Sequence, residues 1–358
     1  MLVFKLCFSS LALVSLAGPM LTAYASSLHH HHQLSSRMTR NRRNLCLPRK
    51  PSASPEAVAV STEHSQVEPT PVQASVSSSL DSVPSSTDQP DVASSSYKTL
   101  TPSISSLYIP NGIKAGVAGG DAYTILQNHI GWWYDWSANP HKPGNPIAVP
   151  MLWGTGKVDS TDAKRLADFK KLSSSSSSSQ RPQFVLGYEE PDCTSGGGSS
   201  GVSVEQGVRE WENLMGPLKR KGTKIGSPSM CKQADETWLK EFSKKISTTW
   251  DFTAIHVNKN NLDGVKKDID HYWAAYGKPI WVTEFACVND HNTFQPCTNQ
   301  QQINTFIQQA VDYFEHDSRV YAYAFSNGEG LGTVWPMMHG GKFSESGKAY
   351  LAAISKYH

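Results

Sequence analysis

Strong charge of either sign is missing. Lys and Arg number 33 against 31 Asp and Glu in 358 residues, a formal net charge of +2. No field of one sign then draws the protein to nucleic acid or an anionic membrane, and a neutral partner suits it better. Cys-x-x-Cys and comparable His/Cys spacings are absent, which leaves no structural zinc set, and no metal or cofactor is expected. No Asn-x-Ser/Thr acceptor occurs, so N-linked glycans are excluded. Past the first residues, no apolar run approaches the roughly 20 residues of a membrane span. The C-terminal Ile354-Ser355-Lys356-Tyr357-His358 has no apolar lipid-anchor tail. A soluble monomer is expected.

What is present begins with Lys5, an apolar run from Leu6 to Leu16, and the small-x-small site Ala23-Tyr24-Ala25. These predict a secretory signal over 1–25. The rival is an N-terminal anchor, against which Ser9, Ser10, Ser15, Gly18 and Pro19 interrupt the run. Residues 26–50 carry His29 to His32 and the pair Arg42-Arg43, a processing site or a solvated basic tail. From Pro51 to about Ser106, Ser, Pro and Thr dominate, with too few apolar side chains to form a core. Residues 26–106 are therefore expected to be a disordered basic segment followed by a linker. Of 6 cysteines, Cys7 falls in the signal. Cys287 and Cys297 bracket a short loop and form the natural disulfide of an oxidising compartment, with Cys193 and Cys231 as the second pair and Cys46 left over.

Residues 107–358 change texture. Eight apolar runs read as strands: Ile113–Ala118, Ile130–Trp136, Ile147–Trp153, Gln183–Tyr188, Lys224–Ser227, Phe252–Val257, Pro279–Glu284 and Val320–Phe325. Helical stretches separate them, except between the second and third, where Asn and Pro leave no room for a helix. Eight such repeats in about 250 residues predict a (β/α)8 barrel, an α/β fold. The alternative is a doubly wound open sheet, yet Gly116, Gly119 and Gly120 after the first strand lack nucleotide-turn spacing and read as a turn. The serine run Ser173 to Ser179 reads as a surface loop.

In such barrels reacting groups lie at the carboxyl ends of strands. Glu190 follows the fourth run and Glu284 closes the seventh. Two carboxyls across a cleft suit glycosidic cleavage, one protonating the departing oxygen and the other attacking the anomeric carbon or activating water. Aromatics crowd the same end. By alternation Trp132, Tyr134 and Trp136 share one side and Trp133 the other. Trp136, Trp153 and Trp335 could carry a sugar face or simply fill the core. His256, at the end of the sixth strand, is either a buried structural histidine or a partner to the sugar or Glu284.

The strings Trp-Trp-Tyr-Asp-Trp-Ser (132–137), Pro-Met-Leu-Trp-Gly (150–154), Leu-Gly-Tyr-Glu-Glu-Pro-Asp (186–192), Asp-Phe-Thr-Ala-Ile-His (251–256) and Trp-Val-Thr-Glu-Phe-Ala (281–286) resemble glycoside hydrolase family 128, the alkali-sensitive-linkage-protein-like catalytic core. The resemblance covers about residues 107–356. It implies a secreted, cofactor-free, retaining β-1,3-glucanase of the fungal wall, with Glu190 as general acid/base and Glu284 as nucleophile. From their places at the strand ends, Glu189, Tyr134, Trp136, Trp153, His256, Asn258 and Trp335 are the expected substrate contacts. Two departures stand out. Glu189 occupies a position where Asn is common in the clan, and Val257-Asn258 follows His256 where relatives often carry aromatics. A wall-associated glucan-binding protein with weak catalysis, and a hydrolase of another β-glycan, remain the alternatives.

Overall fold

The computed structural model describes residues 107–178, 181–232, 237–291 and 293–358. The expected signal, the His29 to His32 run, Arg42-Arg43, Cys46 and the linker all lie outside the described residues.

All eight expected strands form. They are β1 (Ala115–Ala118), β2 (Trp132–Tyr134), β3 (Ile147–Ala148), β4 (Phe184–Val185), β5 (Lys224–Ile225), β6 (Thr253–Lys259), β7 (Ile280–Asn289) and, after the short β8 (Gln295–Pro296), β9 (Val320–Ser326). Parallel ladders run in the order β3-β2-β1-β9-β7-β6, with β4 and β5 paired separately. The seams are spanned by single parallel bridges, Met151 to Leu186 and Gly226 to Phe252. First and last strands thus pair, β1 with β9. That arrangement is the (β/α)8 barrel rather than an open sheet. A small antiparallel hairpin, β10 (Met338–His339) with β11 (Lys342–Phe343), was not foreseen.

Among the described residues seven α-helices cover the outside: α1 (Tyr123–Leu126), α2 (Ser160–Ser174), α3 (Val204–Arg220), α4 (Thr237–Lys245), α5 (Leu262–Tyr276), α6 (Gln300–His316) and α7 (Glu345–Ile354). No helix forms between β2 and β3, as the Asn/Pro composition implied. Local chemistry sets the boundaries. Asp159, Ser203, Asn261, Asn299 and Ser344 each cap a helix by accepting from a backbone N–H in its first turn. On α6 the residues Ile303, Phe306, Ile307, Ala310, Val311 and Phe314 are buried, the spacing of a single helical face. The serine run departs from expectation: Ser173 and Ser174 complete α2, and the Ser173 hydroxyl donates to Leu214 O at 2.7 Å inside the protein.

Two apolar layers result. One lies between the strands and the helices. The other fills the barrel interior with Trp132, Tyr134, Met151, Trp153, Phe184, Leu186, Phe252 and Trp281, while Trp133 packs outside, as the alternation of β2 requires. Trp281 anchors this interior, with ring centroids 4.2 Å from Phe252 and 4.8 Å from both Trp132 and Phe184. Gly116 admits the indole of Trp132, because a Cβ there would stand 2.4 Å from its Nε1. The aromatic plug is the floor on which the strand-end residues stand.

Candidate active site

Glu284 was expected to close its strand. Instead β7 continues to Asn289, because Val288 and Asn289 pair antiparallel with β8 and the Cys287–Cys297 disulfide closes that loop. What turns Glu284 inward is a bulge. Against β6, Val282 faces Ile255 and Glu284 faces His256, leaving Thr283 without a partner; against β9, Val282 faces Tyr323 and Phe285 faces Phe325. The extra residue changes the parity of the strand, so Trp281 and Glu284, three apart, both face the barrel interior. Simple alternation does not predict this. Once inside, the Glu284 carboxylate is tightly held. Tyr134 Oη donates to Oε1 at 3.2 Å, Trp136 Nε1 donates to Oε1 at 3.1 Å, and Ser326 Oγ donates to Oε2 at 2.5 Å.

Glu190 sits in a turn, not in a strand. Its backbone φ is 44°, and Trp136 has φ 59°, both in the left-handed region that non-glycine residues rarely adopt. Such outliers concentrate at functional sites, where surrounding structure holds them against a cost of order 1–3 kcal/mol each. The hold here is the Cys193–Cys231 disulfide together with Asp192, which accepts from Cys231 N at 2.8 Å and Lys232 N at 3.3 Å. Both expected disulfides are therefore present. Ser199 Oγ donates to Glu190 Oε2 at 2.5 Å, and His256 Nδ1 lies 3.1 Å from Glu190 Oε1.

His256 is the hub. It is fully buried, with Nε2 3.8 Å from Glu189 Oε2 and 4.0 Å from Glu284 Oε1. Burial alone would strip its proton, but the charges of Glu284 and Glu189 and the hydrogen bond to Glu190 outweigh that and push it up to about 10. At neutral pH the ring keeps its charge; Nδ1 donates to Glu190, and Nε2 is buried with no hydrogen-bond partner among the described residues. Glu189, also buried, moves the same way. Burial, then the charges of Glu284 and Glu190, hold its carboxyl far above the usual range, against the pull of His256. Glu189, Glu190 and His256 bring one ligand atom each within 4.8 Å of one another, close enough to gather round a cation. With the imidazole doubly protonated, however, the cluster is an ion-paired network, and no metal is assigned to it.

The remaining expected contacts divide. Trp136 is half-buried and donates to Glu284, so it stands at the mouth. Asn258 is buried two residues beyond His256, and its Oδ1 lacks a hydrogen-bond partner among the described residues. Tyr134, expected against substrate, is fully buried and serves Glu284. Trp153 is buried but for its edge, and the Arg165 guanidinium lies 4.8 Å over its ring, so one face is already taken. Trp335 is displaced furthest from expectation. It is 0% exposed, stacks on Phe325 at 4.2 Å and 11°, and donates to Ser326 O at 2.8 Å. So large an apolar ring stabilises more when wholly covered, and it props the strand that presents Ser326.

Ser199, Ser229, Ser326 and Arg165 join the site unpredicted. Only Ser326 carried a signal, being the polar residue that ends the apolar run of β9. A cavity of about 610 Å3, lined in part by Lys259, Asn260, Lys267, Asn289 and Asp290, opens beyond β6 and β7. Another of about 530 Å3 lies beside α2. Neither is lined by Glu189, Glu190 or Glu284, and the candidate chemistry lies with the buried cluster round His256 rather than with either cavity.

A family model described as a glycosyl hydrolase catalytic core matches residues 113–350. The chain is 53% identical to an oligosaccharide-binding protein of glycoside hydrolase family 128, subgroup VII, from Cryptococcus neoformans, covering 70% of this chain and 97% of that one with a TM-score of 0.67. An endo-β-1,3-glucanase of subgroup I from Amycolatopsis mediterranei, solved with laminaritriose, shares the fold at 23% identity, covering 67% of this chain and 99% of that one, with a TM-score of 0.52. Alkali-sensitive linkage protein 1 of Schizosaccharomyces pombe is 26% identical over 246 residues, 65% of this chain and 42% of that protein. The chain thus spans less than half the length of that curated relative.

Proposed function

Because the chain belongs to glycoside hydrolase family 128, we propose that its barrel mouth recognises β-1,3-gluco-oligosaccharides and holds them far longer than it cleaves them. The observation that carries this reading is the arrangement round Glu190. A general acid must present a proton to the departing oxygen. Here the protonated His256 donates to one oxygen and Ser199 to the other. Both Glu190 oxygens are thus engaged from within the protein. A carboxyl so engaged is poorly placed to hand a proton to a departing oxygen, and it stands where sugar hydroxyls would be held. The half-buried ring of Trp136 supplies a platform at the mouth. The relative at 53% identity carries the name of an oligosaccharide-binding protein. The linkage follows from the family.

The reading extends to the rest of the chain. Residues 1–25 act as an export signal, residues 26–106 as a linker, and residues 107–358 as the glycan-binding unit, outside the cell or in the wall. Two disulfides suit an oxidising compartment.

The second reading is hydrolysis, with Glu190 as acid/base and Glu284 as nucleophile in a retaining mechanism. What favours it is Glu284, an oriented carboxylate aimed inward by a bulge and held by three donors. Calorimetric titration with laminarihexaose and cellohexaose, alongside reducing-sugar release from laminarin, separates the two. We expect saturable binding of laminarihexaose only, with turnover well below the 1–10³ s⁻¹ ordinary for enzymes. Absence of laminarihexaose binding would sink the proposal, and turnover within that range would establish the second reading.

A further inference from the structure

Arg165 joins the mouth without a part in either reading. It lies in α2 on the face marked by the buried Asp162, Phe169 and Ser173, the side turned toward the strands. A half-buried cation at such a position costs stability unless it finds partners. Its guanidinium lies 4.8 Å over the ring of Trp153, one of the side chains that fill the barrel interior. The Trp153 carbonyl accepts the Glu189 N–H at 3.0 Å, so the stacked pair stands at the strand-end level of Glu189. Attraction to the ring holds the cation but engages none of its five N–H donors in a hydrogen bond. No acceptor among the described residues takes them.

The surroundings decide what those donors can hold. Burial lowers the proton affinity of Arg165 most, and Glu189, Asp159, Asp162 and Asp135 act against that. The aspartates spend hydrogen bonds elsewhere: Asp162 Oδ2 accepts from Lys157 N and Val158 N, Asp159 Oδ1 from Asp162 N, and Asp135 Oδ1 from Ser137 Oγ. An anionic ligand would come among these carboxyls, whereas neutral hydroxyl oxygens would not be repelled. A guanidinium is a rigid fork that grips two neighbouring oxygens at once. In a β-1,3-linked glucan the O3 of every unit except the non-reducing terminal one is spent in a linkage. Interior units keep O2, O4 and O6 free, no two of them on adjacent carbons. The non-reducing terminal unit has O2, O3 and O4 free in a row.

We propose that Arg165, held on Trp153, is a specificity-determining residue that grips two adjacent hydroxyls of the non-reducing terminal glucose, so that the barrel mouth receives chain ends rather than chain interiors. The inference rests on the glycan-binding reading given above. It adds which part of the chain is bound, and by what.

Periodate isolates this contact, because it cleaves only between carbons that bear adjacent hydroxyls. In methyl β-laminarihexaoside such carbons occur in the non-reducing unit alone, since the methyl group blocks O1 at the other end. Oxidation therefore alters one ring and spares the rest. Calorimetry on the full-length protein compares this glycan before and after oxidation. The parent should bind the intact glycan as it binds laminarihexaose, and lose roughly tenfold or more in affinity on oxidation, the scale of hydrogen bonds to a charged group. Arg165→Lys keeps the charge and a long stem over Trp153 but cannot fork. It should bind the intact glycan roughly tenfold more weakly than the parent, and oxidation should then cost it less than about threefold. A purely structural role would weaken both glycans alike. Urea unfolding checks the fold of the variant, with Arg165→Gln as the substitute if the lysine is not accommodated. The proposal is overturned if the parent binds the oxidised glycan as tightly as the intact one, if the variant loses as much on oxidation as the parent, or if the variant binds the intact glycan as the parent does. A methyl glycoside that binds tenfold more weakly than laminarihexaose would also overturn it, by placing the contact at the reducing end. Failure of the parent to bind laminarihexaose would instead remove the functional reading itself.

Discussion

The two sides of the barrel are held together in different ways. Strands β6, β7 and β9 run for 7, 10 and 7 residues and ladder against one another. Strands β3, β4 and β5 are 2 residues each, and the pair β4-β5 is joined to the rest by single bridges, Met151 to Leu186 on one side and Gly226 to Phe252 on the other. The laddered side carries His256 and Glu284. The bridged side carries Glu189 and Glu190 in a turn whose backbone is strained. A carboxylate built into a ladder is oriented by the sheet itself, whereas one on a turn depends on side chains and a covalent clamp. The charge cluster at the mouth joins the two sides.

The largest effect should come from removing what joins them below the mouth. Trp281 belongs to β7 and touches Phe184 of β4, Trp132 of β2 and Phe252. Trp281→Ala should cost about 3–5 kcal/mol in urea unfolding, the usual range for deleting a buried Trp. If the sides depend on this ring, amide exchange should speed up in β4 and β5 more than in β7 and β9. Equal acceleration on both sides would break the comparison.

The disulfides sharpen it next. Cys193–Cys231 closes 38 residues on the bridged side, and Cys287–Cys297 closes 10 on the laddered side. By loop-closure entropy their removal should cost about 4 and about 3 kcal/mol. Function should separate them further. Replacing Cys193 and Cys231 with Ser should weaken laminarihexaose binding, because the Glu190 turn loses its clamp, whereas replacing Cys287 and Cys297 should leave binding within about threefold, under 1 kcal/mol. Equal losses of affinity would show that the ladder does not hold Glu284 as argued.

Legibility followed the same division. The eight runs and seven helices stood in the sequence because period-2 and period-3.6 patterns and cap residues are local signals. The Leu262–Tyr276 helix is bounded by such signals, since Asn261 caps it and Gly277 leaves it with a positive φ of 57°. Glu190, Glu284 and His256 were legible as polar residues ending apolar runs. The inward turn of Glu284 was not, because a bulge is a relation between strands and leaves no mark in one chain's pattern. Trp335 was misplaced for the opposite reason: an aromatic after a strand looks alike whether it meets sugar or packs beneath the sheet. Ser199 lies among glycines and serines that carry no period at all.

pH should act at two places on the laddered side in succession. Asp268 of α5 is buried against the outer end of β6, where burial, with a smaller contribution from Asp290, outweighs Lys259 and His271 and pushes it up to about 7 from 3.8. An acid raised in the folded state contributes stability that is intact below its unfolded value and lost as pH rises through the folded one. His256 at about 10, against 6.5 unfolded, has the same sign in a later window. The melting temperature should fall between about pH 4 and 7 and fall again from about 6.5 to 10. Asp268→Asn should flatten the first decline and leave the second, which belongs to the mouth. A profile in which Asp268→Asn changes both windows alike would show that the outer end and the mouth titrate as one unit.

The smallest effect sets two matched hydrogen bonds against each other. Ser326 Oγ and Ser199 Oγ each donate at 2.5 Å, the first to Glu284 and the second to Glu190. Hydrogen bonds to charged groups are worth about 1.5–3 kcal/mol, less where water can replace the donor. Glu284 keeps Tyr134 and Trp136 when Ser326 is truncated, and Trp335 still holds the strand through Ser326 O. Truncating Ser199 removes the donor on Glu190 Oε2 in a turn that no ladder fixes. The Glu190 side chain is 21% exposed against 11% for Glu284, so water can reach the vacated oxygen of Glu190 more easily. Stability should therefore change little in Ser199→Ala, by about 1 kcal/mol or less, and somewhat more in Ser326→Ala, whose buried acceptor has no water to turn to. Ligand affinity should change in the reverse order, because a Glu190 with one donor fewer samples more positions than a sheet-bound Glu284. Paired urea unfolding and laminarihexaose calorimetry on the two variants measure both orders. If Ser326→Ala proves worse on both scales, burial alone governs the site and the contrast between ladder and turn does not reach the ligand.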